Sequence, residues 1–201
     1  RNDHISPFAF VSFQFHVRCP IFVARQWFRH RTFDMNEASA RYKEFEWDVF
    51  YPEEWRIQDT KDKQSSNGQV EHQDLTTSMV SGIYKKNEQA YESMLGHGVA
   101  REQARTVMPV GQYTEFFAHI NLRNLFHFLD LRLDSHAQYE IRVYAQAILD
   151  ILSEIEDLKW SVEVFRDVFE LKQNFHQAMD KAFRKKDDAS IDSLNTHLKD
   201  F

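Results

Sequence analysis

The chain has 201 residues and a net charge of −6, with 42% hydrophobic and 28% charged residues. A chain of this length buries one sizeable core, so we expect a single domain over residues 1–201. No apolar run approaches the ~20 residues that cross a membrane, and the acidic balance argues against broad nucleic-acid binding. Cys19 is the only cysteine, which excludes an internal disulfide and Cys-based zinc sites. A reducing, cytoplasmic setting is therefore expected.

The first predicted elements are a strand and a helix. Residues 8–18 alternate between apolar and polar side chains, which predicts a half-buried strand. Pro20 suits the first turn of a helix over 20–30, because its missing N–H costs nothing there. The apolar face of this helix consists of Val23, Ala24, Trp27 and Phe28. Because residue 1 is an arginine, we also expect that an N-terminal segment of the protein is missing.

Residues 29–42, called the arginine segment below, place Arg29, Arg31 and Arg41 within thirteen residues. Six arginines and no lysine occur between positions 1 and 42. Guanidinium groups suit bidentate recognition of phosphate, carboxylate or a nucleobase edge. Such a cluster in an acidic protein indicates a specific anionic ligand. The alternative is a solvated charged loop, and the spacing alone leaves both open. We expect the segment to begin at a helix C-terminus and to continue as a loop.

The middle of the chain alternates between irregular and helical patterns. Residues 43–58 read as irregular, and residues 59–74 are polar and nearly free of aliphatic side chains, which predicts an exposed, mobile loop. Helices are expected over 75–96 and 99–107, and a second strand over 111–120.

The C-terminal half is dominated by helices. Residues 122–132 have a helical pattern, and Ser135 and Gln138 have the spacing of a capping box that opens a long helix. The apolar face of that helix is formed by Ile141, Tyr144, Ala145, Ile148, Leu152 and Ile155. Residues 159–201 are expected to form a helical tail of unclear role. The elements together predict an α+β fold in which a mixed or antiparallel sheet packs with long helices.

A second candidate site lies at residues 132–138, where Arg132 and His136 flank the predicted helix start. Free N–H groups and the positive end of the helix dipole favour an anion there. Arg132 can stabilise an enolate-like or deprotonated heterocycle oxygen by charge-assisted hydrogen bonds. The alternative is that Asp134 pairs with Arg132 while Ser135 only caps the helix, and this alternative is preferred when the segment is considered alone.

The sequence lacks the motifs of several other enzyme classes. The five glycines form no G-x-G-x-x-G pattern and no P-loop, and neither a G-x-S-x-G nor an H-E-x-x-H pattern occurs. We therefore predict no metal site. Arg105 and Arg123 lie in apolar stretches of sequence and are expected to add to the number of inward-facing arginines.

Several stretches together resemble one enzyme family. Arg29-His30-Arg31, seven residues and then Ser39 resembles the R-H-R-x7-S signature of flavin-dependent thymidylate synthases. Residues 4–8, 22–28 and 121–138 are similar to other motifs of that family, and the similarity covers about 4–150. The pair Ala9-Phe10 departs from the pattern, since many members carry Glu-His there. This departure implies that flavin is held more loosely or through another residue.

The resemblance implies a function and an assembly. Members of the family methylate deoxyuridine monophosphate (dUMP) to thymidylate with a one-carbon unit from 5,10-methylenetetrahydrofolate. Reduced FAD delivers the hydride, NADPH re-reduces the flavin, and no enzyme cysteine acts as nucleophile. The family fold forms homotetramers with active sites between subunits. Two alternatives are a flavin- or nucleotide-binding protein without turnover and a structural subunit whose arginines form ion pairs.

The resemblance also assigns site residues. The positions that correspond to dUMP contacts are Gln26, Arg29, Glu37, Ala38, Ser39, Ala40, Arg41, Arg105 and Arg132. The positions that correspond to FAD contacts are Ser6, Arg29, His30, Arg31, Asn121, Arg123, His127 and His136. His4 corresponds to a position near the flavin and the folate, and Arg132 is the expected catalytic residue.

Overall fold

The computed structural model describes residues 4–39, 46–60 and 66–185, which form five strands and six helices. The strands are β1 (Ser12–Pro20), β2 (Asp34–Glu37), β3 (Arg56–Gln58), β4 (Ser66–Gln69) and β5 (Tyr113–Asn121). The helices are α1 (Ile21–Trp27), α2 (Gln73–Gly96), α3 (Arg101–Ala104), α4 (Leu122–Arg132), α5 (Tyr139–Ser153) and α6 (Lys159–Lys185). Short 3-10 turns cover Ser6–Ala9, Arg105–Val107 and Glu156–Leu158.

The main sheet is antiparallel and has the strand order β1-β5-β2. β1 and β5 pair along their whole length, with Ser12 opposite Asn121 and Pro20 opposite Tyr113. Alternate residues of β5, among them Phe116 and Ile120, are buried, as the period of a half-buried strand requires. The α+β fold class and the two long predicted strands are confirmed. Residues 6–9 of the chain form a 3-10 turn instead, so the first strand starts at Ser12.

Trp27 at the end of α1 lies at the centre of the core. Its ring stacks on Phe128 of α4 with centroids 5.0 Å apart. It also meets Phe33 and Phe116 edge-on, at 6.1 and 5.5 Å. The predicted apolar face of α1 is therefore confirmed, except that Phe28 follows the helix and is exposed. These contacts bring the end of α1 against α4.

Two loop predictions were only partly right. The arginine segment is not a loop throughout, because it contains β2, whose side chains are mostly exposed and lack an apolar alternation. The predicted loop 59–74 contains β4, which pairs with β3, and its end opens α2 at Gln73. All four side chains of β4 are exposed, so hydrophobic patterning does not detect this hairpin.

The capping-box prediction was also wrong. α5 begins at Tyr139, and Gln138 is its N-cap residue without a side-chain capping hydrogen bond. Ser135 lies three residues further upstream, in the loop between α4 and α5. Other hydrogen bonds organise this loop, and they are described below.

Helix α6 packs against α4 and α5. Phe165 stacks on Phe126 with centroids 4.8 Å apart and an interplanar angle of 8°, and Val162 is buried. The predicted tail is therefore helical as far as Lys185, while residues 186–201 lie outside the described part of the chain. Among the described helices, none is both long enough and apolar enough to cross a membrane.

Candidate functional site

The two candidate sites of the sequence meet at one contact between Arg132 and His30. Arg132 is the last residue of α4, and its Nε donates a hydrogen bond to Nε2 of His30 at 2.7 Å. Its Nη2 donates to the carbonyl oxygen of Gln26 at 3.1 Å. The fold thus joins the C-terminal end of α4 to the C-terminal end of α1, and three of the predicted site residues form one cluster.

The contact determines the protonation state of His30. A guanidinium group only donates hydrogen bonds, so Nε2 of His30 must accept and the proton of the neutral ring lies on Nδ1. Burial, followed by the charges of Arg132 and His127, lowers the pKa of His30 to about 4. The His30 ring also meets Phe128 edge-on at 4.8 Å. At neutral pH His30 is therefore an uncharged acceptor that orients the Arg132 guanidinium.

A polar chain extends from this cluster to the β3–β4 hairpin. Gln26 Nε2 donates to Gln138 Oε1, and Gln138 Nε2 donates to Glu140 Oε2 at 2.7 Å. Glu140 Oε1 accepts from Arg56 Nη2 at 2.5 Å, and the two side chains are 10% and 18% exposed. This ion pair is partly buried, and it anchors the first turn of α5 to β3.

The loop between α4 and α5 is organised by Asp134. Its Oδ1 accepts hydrogen bonds from the backbone N–H and Nδ1 of His136, both at 2.8 Å. Its Oδ2 accepts from Gln173 Nε2 at 2.8 Å. Burial on its own raises the pKa of Asp134, but the hydrogen bonds from Gln173 and His136 outweigh it and the pKa is lowered. Among the described contacts Asp134 does not pair with Arg132, so the pairing considered above for this segment was wrong.

The predicted flavin residues lie on an open surface. The side chains of Arg29, Arg31, Arg123, His127 and His136 are exposed. Within the described part of the chain no ion pair involves Arg29, Arg31 or Arg123. Guanidinium groups without a carboxylate partner suit the phosphates of a dinucleotide. The donor chemistry of this surface therefore fits FAD.

The remaining predicted flavin residues have local roles as well. Asn121 is the N-cap of α4, and its Oδ1 accepts from the Asn124 N–H at 3.0 Å. Ser6 opens the 3-10 turn whose Phe8 meets Phe126 of α4 edge-on at 6.2 Å. His4 and Ser6 are exposed. The N-terminal turn is thus held next to α4.

The predicted nucleotide residues at the end of β2 contact β5. Glu37 ends β2 and accepts from the Thr114 hydroxyl at 2.8 Å. The Ala38 N–H donates to the Glu115 carbonyl at 2.8 Å, and Ser39 is half-buried. Ala40 and Arg41, which complete the predicted set, lie outside the described residues.

Arg105 and Arg123 do not face inward, so that prediction was wrong. Arg105 is exposed in the 3-10 turn after α3, and its Nε donates to the Glu102 carbonyl at 3.3 Å. Arg123 is exposed in the first turn of α4. Hydrophobic neighbours in the sequence do not decide which way these side chains point.

A cavity of about 410 Å³ borders the site without containing its centre. It is lined in part by Phe22, Trp55, Tyr84, Glu140 and Arg142, and it reaches Ser135 and Gln138. Neither Arg132 nor His30 lines it. The described residues contain no group of three or more His, Cys, Asp or Glu side chains arranged for a metal ion.

Cys19 is fully buried in β1. Burial, followed by the charge of Glu37, raises the pKa of its thiol to about 12. A buried thiol of this kind is protonated at neutral pH and does not act as a nucleophile.

Comparisons with known proteins agree with the motifs. Residues 1–156 match the family described as "Thymidylate synthase complementing protein". A flavin-dependent thymidylate synthase of Thermus thermophilus is 47% identical over 161 residues, which are 80% of this chain and 59% of the relative. The corresponding protein of Treponema denticola is 42% identical over 163 residues, covering 79% and 61%. The chain thus spans about three fifths of the length of these relatives.

A solved structure agrees as well. A UMP/dUMP methylase from Streptomyces cacaoi, bound with 5-Br UMP, superimposes with a TM-score of 0.70 and 33% sequence identity. The match covers 75% of this chain and 73% of that chain.

Proposed function

Because the chain belongs to the thymidylate synthase complementing protein family, we propose that it is a flavin-dependent thymidylate synthase. In this proposal it methylates dUMP with 5,10-methylenetetrahydrofolate as the one-carbon donor and NADPH as the reductant. The observation that carries the proposal is the contact of Arg132 with His30 and Gln26, which unites the signature segment with the second motif block. The names of the relatives and of the structural neighbour support the same reaction.

In the proposal, FAD binds along the surface formed by the arginine segment and α4. Arg29, Arg31 and Arg123 supply cationic donors for its phosphates, while His127 and His136 contribute imidazole groups. When bound, FAD supplies the hydride chemistry that the side chains lack. The protein's own task would be to bind and orient the ring, and the half-buried His30 keeps the Arg132 guanidinium in position.

Arg132 is the proposed catalytic residue for dUMP. The uracil ring becomes a better carbon nucleophile when its N3–C4=O region carries negative charge, and a fixed guanidinium stabilises that charge. The two hydrogen bonds of Arg132 to His30 and Gln26 fix this group before substrate binds. In the proposal Gln26, Arg29, Glu37 and Ala38 also contact the nucleotide, and Ser39, Ala40, Arg41 and Arg105 hold its phosphate end.

The proposed chemistry uses no enzyme thiol. The only cysteine is buried in β1 with a raised pKa, which makes it a poor nucleophile. Carbon–carbon bond formation therefore depends on activation of the uracil ring itself, the task proposed for Arg132.

A homotetramer with sites between subunits is part of the proposal. Leu75, Met79 and Ile83 of α2 are exposed and lie at intervals of four residues, so they form one apolar stripe. Exposed apolar stripes of this kind mark protein–protein contacts. The exposure of the proposed flavin residues also suits a site that another subunit completes.

Release of tritium from C5-labelled dUMP tests the function. We expect release that requires the folate, FAD and NADPH together. FAD and dUMP binding without any release would contradict the enzyme and support a binding protein. Failure to bind either ligand would contradict both and leave the structural-subunit alternative.

A further inference from the structure

Helix α6 begins after the segment that matches the family, yet it contacts the candidate site. The family match ends at residue 156, and α6 spans Lys159–Lys185. The helix is anchored by the Phe165–Phe126 stack and by Arg166, whose Nη2 donates to the Ser153 hydroxyl at 2.8 Å. These contacts fix the rotation of α6 about its axis, so the face that it turns toward α4 is defined.

Two neighbouring residues of α6 make polar contacts on that face. Lys172 Nζ pairs with Asp130 Oδ2 at 3.0 Å, and Gln173 Nε2 donates to Asp134 Oδ2 at 2.8 Å. The two carboxylates lie two residues before and two residues after Arg132. The α6 contacts therefore bracket the residue proposed as catalytic.

Asp134 transmits the α6 contact to His136. Its side chain is only 24% exposed, and its two oxygens have separate tasks. Oδ2 accepts from Gln173, while Oδ1 accepts from the N–H and Nδ1 of His136. Because a carboxylate only accepts, Nδ1 of His136 carries the ring proton in this arrangement. The Asp134 carboxylate cannot rotate without giving up hydrogen bonds on both sides.

We propose that Gln173 is a positioning residue, which holds the Asp134 carboxylate so that His136 and the loop 133–138 keep the shape that binds FAD. The choice of FAD as the ligand rests on the proposed function. The hydrogen bonds of Gln173 and Asp134 do not depend on it. In the described part of the chain, the titratable and charged groups near Asp134 include His136 on its own loop, Asp130 and Arg132 on α4, and Lys172 on α6. Gln173 supplies the donor that α6 directs at this carboxylate.

The first test uses Gln173→Met and Gln173→Glu, with Gln177→Met, at an exposed position one turn further along α6, as the matched control. Met keeps the length of the side chain but donates no hydrogen bond. Glu keeps the shape but places a second carboxylate against Asp134, which is unfavourable at neutral pH. We expect hydrogen–deuterium exchange of the 133–138 amides to become at least about fivefold faster in both variants. The control should exchange like the parent.

The second readout is the FAD dissociation constant from a fluorescence titration. We expect it to rise by about fivefold or more in both variants, with a melting temperature close to that of the control. At pH ~5, compared with pH ~8, the Glu variant should bind FAD more nearly like the parent, because a protonated Glu donates a hydrogen bond, while the Met variant should keep the same ratio to the parent. A merely structural role of Gln173 would instead lower the melting temperature while the FAD dissociation constant stayed like that of the parent.

The outcomes separate the inference from the proposed function. If the parent binds FAD while both Gln173 variants exchange and bind like the parent, the positioning role is wrong. If the parent binds no FAD, the proposed function is wrong, and the exchange rates alone then decide the role of Gln173. Faster exchange spread equally over all helices would also overturn the inference, since the effect would be global.

Discussion

Arg132 donates a hydrogen bond from Nε to Nε2 of His30 at 2.7 Å, across 102 residues of sequence. The bond requires His30 to be neutral, because a protonated ring has no free lone pair to accept it. Arg132 also keeps its second contact to the Gln26 carbonyl. One uncharged histidine therefore holds the guanidinium on which the proposed reaction depends, and the first prediction concerns its proton.

Stability should fall as the pH drops below the ordinary histidine range. The pKa of His30 is lowered from 6.5 to about 4, mainly by burial. Between these two values the unfolded chain binds a proton that the folded chain does not, so the free energy of unfolding decreases as pH falls through this window. Urea unfolding at a series of pH values measures this. In His30→Gln the free energy of unfolding should decrease less steeply with falling pH than in the parent. The control His72→Gln, at an exposed position, should have the same slope as the parent. Equal slopes for all three proteins would contradict the prediction.

Arg132→Ala should lower turnover far more than stability. Loss of the guanidinium removes charge stabilisation worth about 100-fold in kcat, while the two lost hydrogen bonds cost about 1–2 kcal/mol of unfolding free energy. Arg132→Lys keeps the charge but not the fork geometry, so it should recover only part of the activity. Tritium release and urea unfolding measure the two effects. Full activity combined with a lowered melting temperature would make Arg132 structural only.

Cys19→Ala should remain active. The thiol is buried and its pKa is raised to about 12, so a role as nucleophile is not expected. The folded parent should also resist alkylation by iodoacetamide at pH ~8 and react only after unfolding. Mass spectrometry and the tritium assay test these points. Loss of all turnover in a folded Cys19→Ala protein would contradict the proposed chemistry.

Arg56→Met should destabilise the protein by about 2 kcal/mol, because it leaves the partly buried Glu140 carboxylate without its cationic partner. The double variant Arg56→Met with Glu140→Gln should recover much of that loss, since no unpaired charge remains. Urea unfolding of the parent, both single variants and the double variant completes the cycle. Additive losses would show that the two side chains do not interact.

Ser39→Ala should weaken dUMP binding without abolishing the chemistry. In the proposal the Ser39 hydroxyl contacts the nucleotide, and its removal takes away binding energy that substrate and transition state share. We expect KM for dUMP to rise by about tenfold while kcat changes little. Steady-state kinetics over a range of dUMP concentrations measure both. A collapse of kcat at saturating dUMP would assign Ser39 to the chemical step.

Helices with a strong internal pattern were predictable from the sequence. The predicted helix 122–132 is α4, Leu122–Arg132, because Leu122, Leu125 and Leu129 repeat at helical spacing and are all buried. Elements without an apolar pattern were missed. β4 has four exposed residues, and its pairing with β3 depends on backbone hydrogen bonds that hydrophobicity does not reveal.

At the start of α5, a competing local hydrogen bond replaces the predicted capping box. Ser135 and Gln138 have the capping-box spacing, but Asp134 instead accepts from the His136 N–H and organises the loop before the helix. Gln138 then turns its side chain toward Gln26 and Glu140. The motifs predicted Gln26, His30 and Arg132 as site residues, and the structure brings these three together.

The hydrogen bonds and ion pairs that surround the candidate site were not recognisable, because they join residues far apart in sequence. Arg56 and Glu140 are 84 residues apart, and Gln173 lies 39 residues from Asp134. No short-range pattern marks such pairs.

The most direct test of the central claim is the visible absorption spectrum of the purified protein, before and after FAD is added. A flavin bound through the arginine segment should give bands near ~450 nm that remain after gel filtration. NADPH should bleach these bands, and dUMP should make the bleaching faster. A protein that stays colourless after incubation with FAD, or whose bound flavin NADPH does not reduce, would contradict the account.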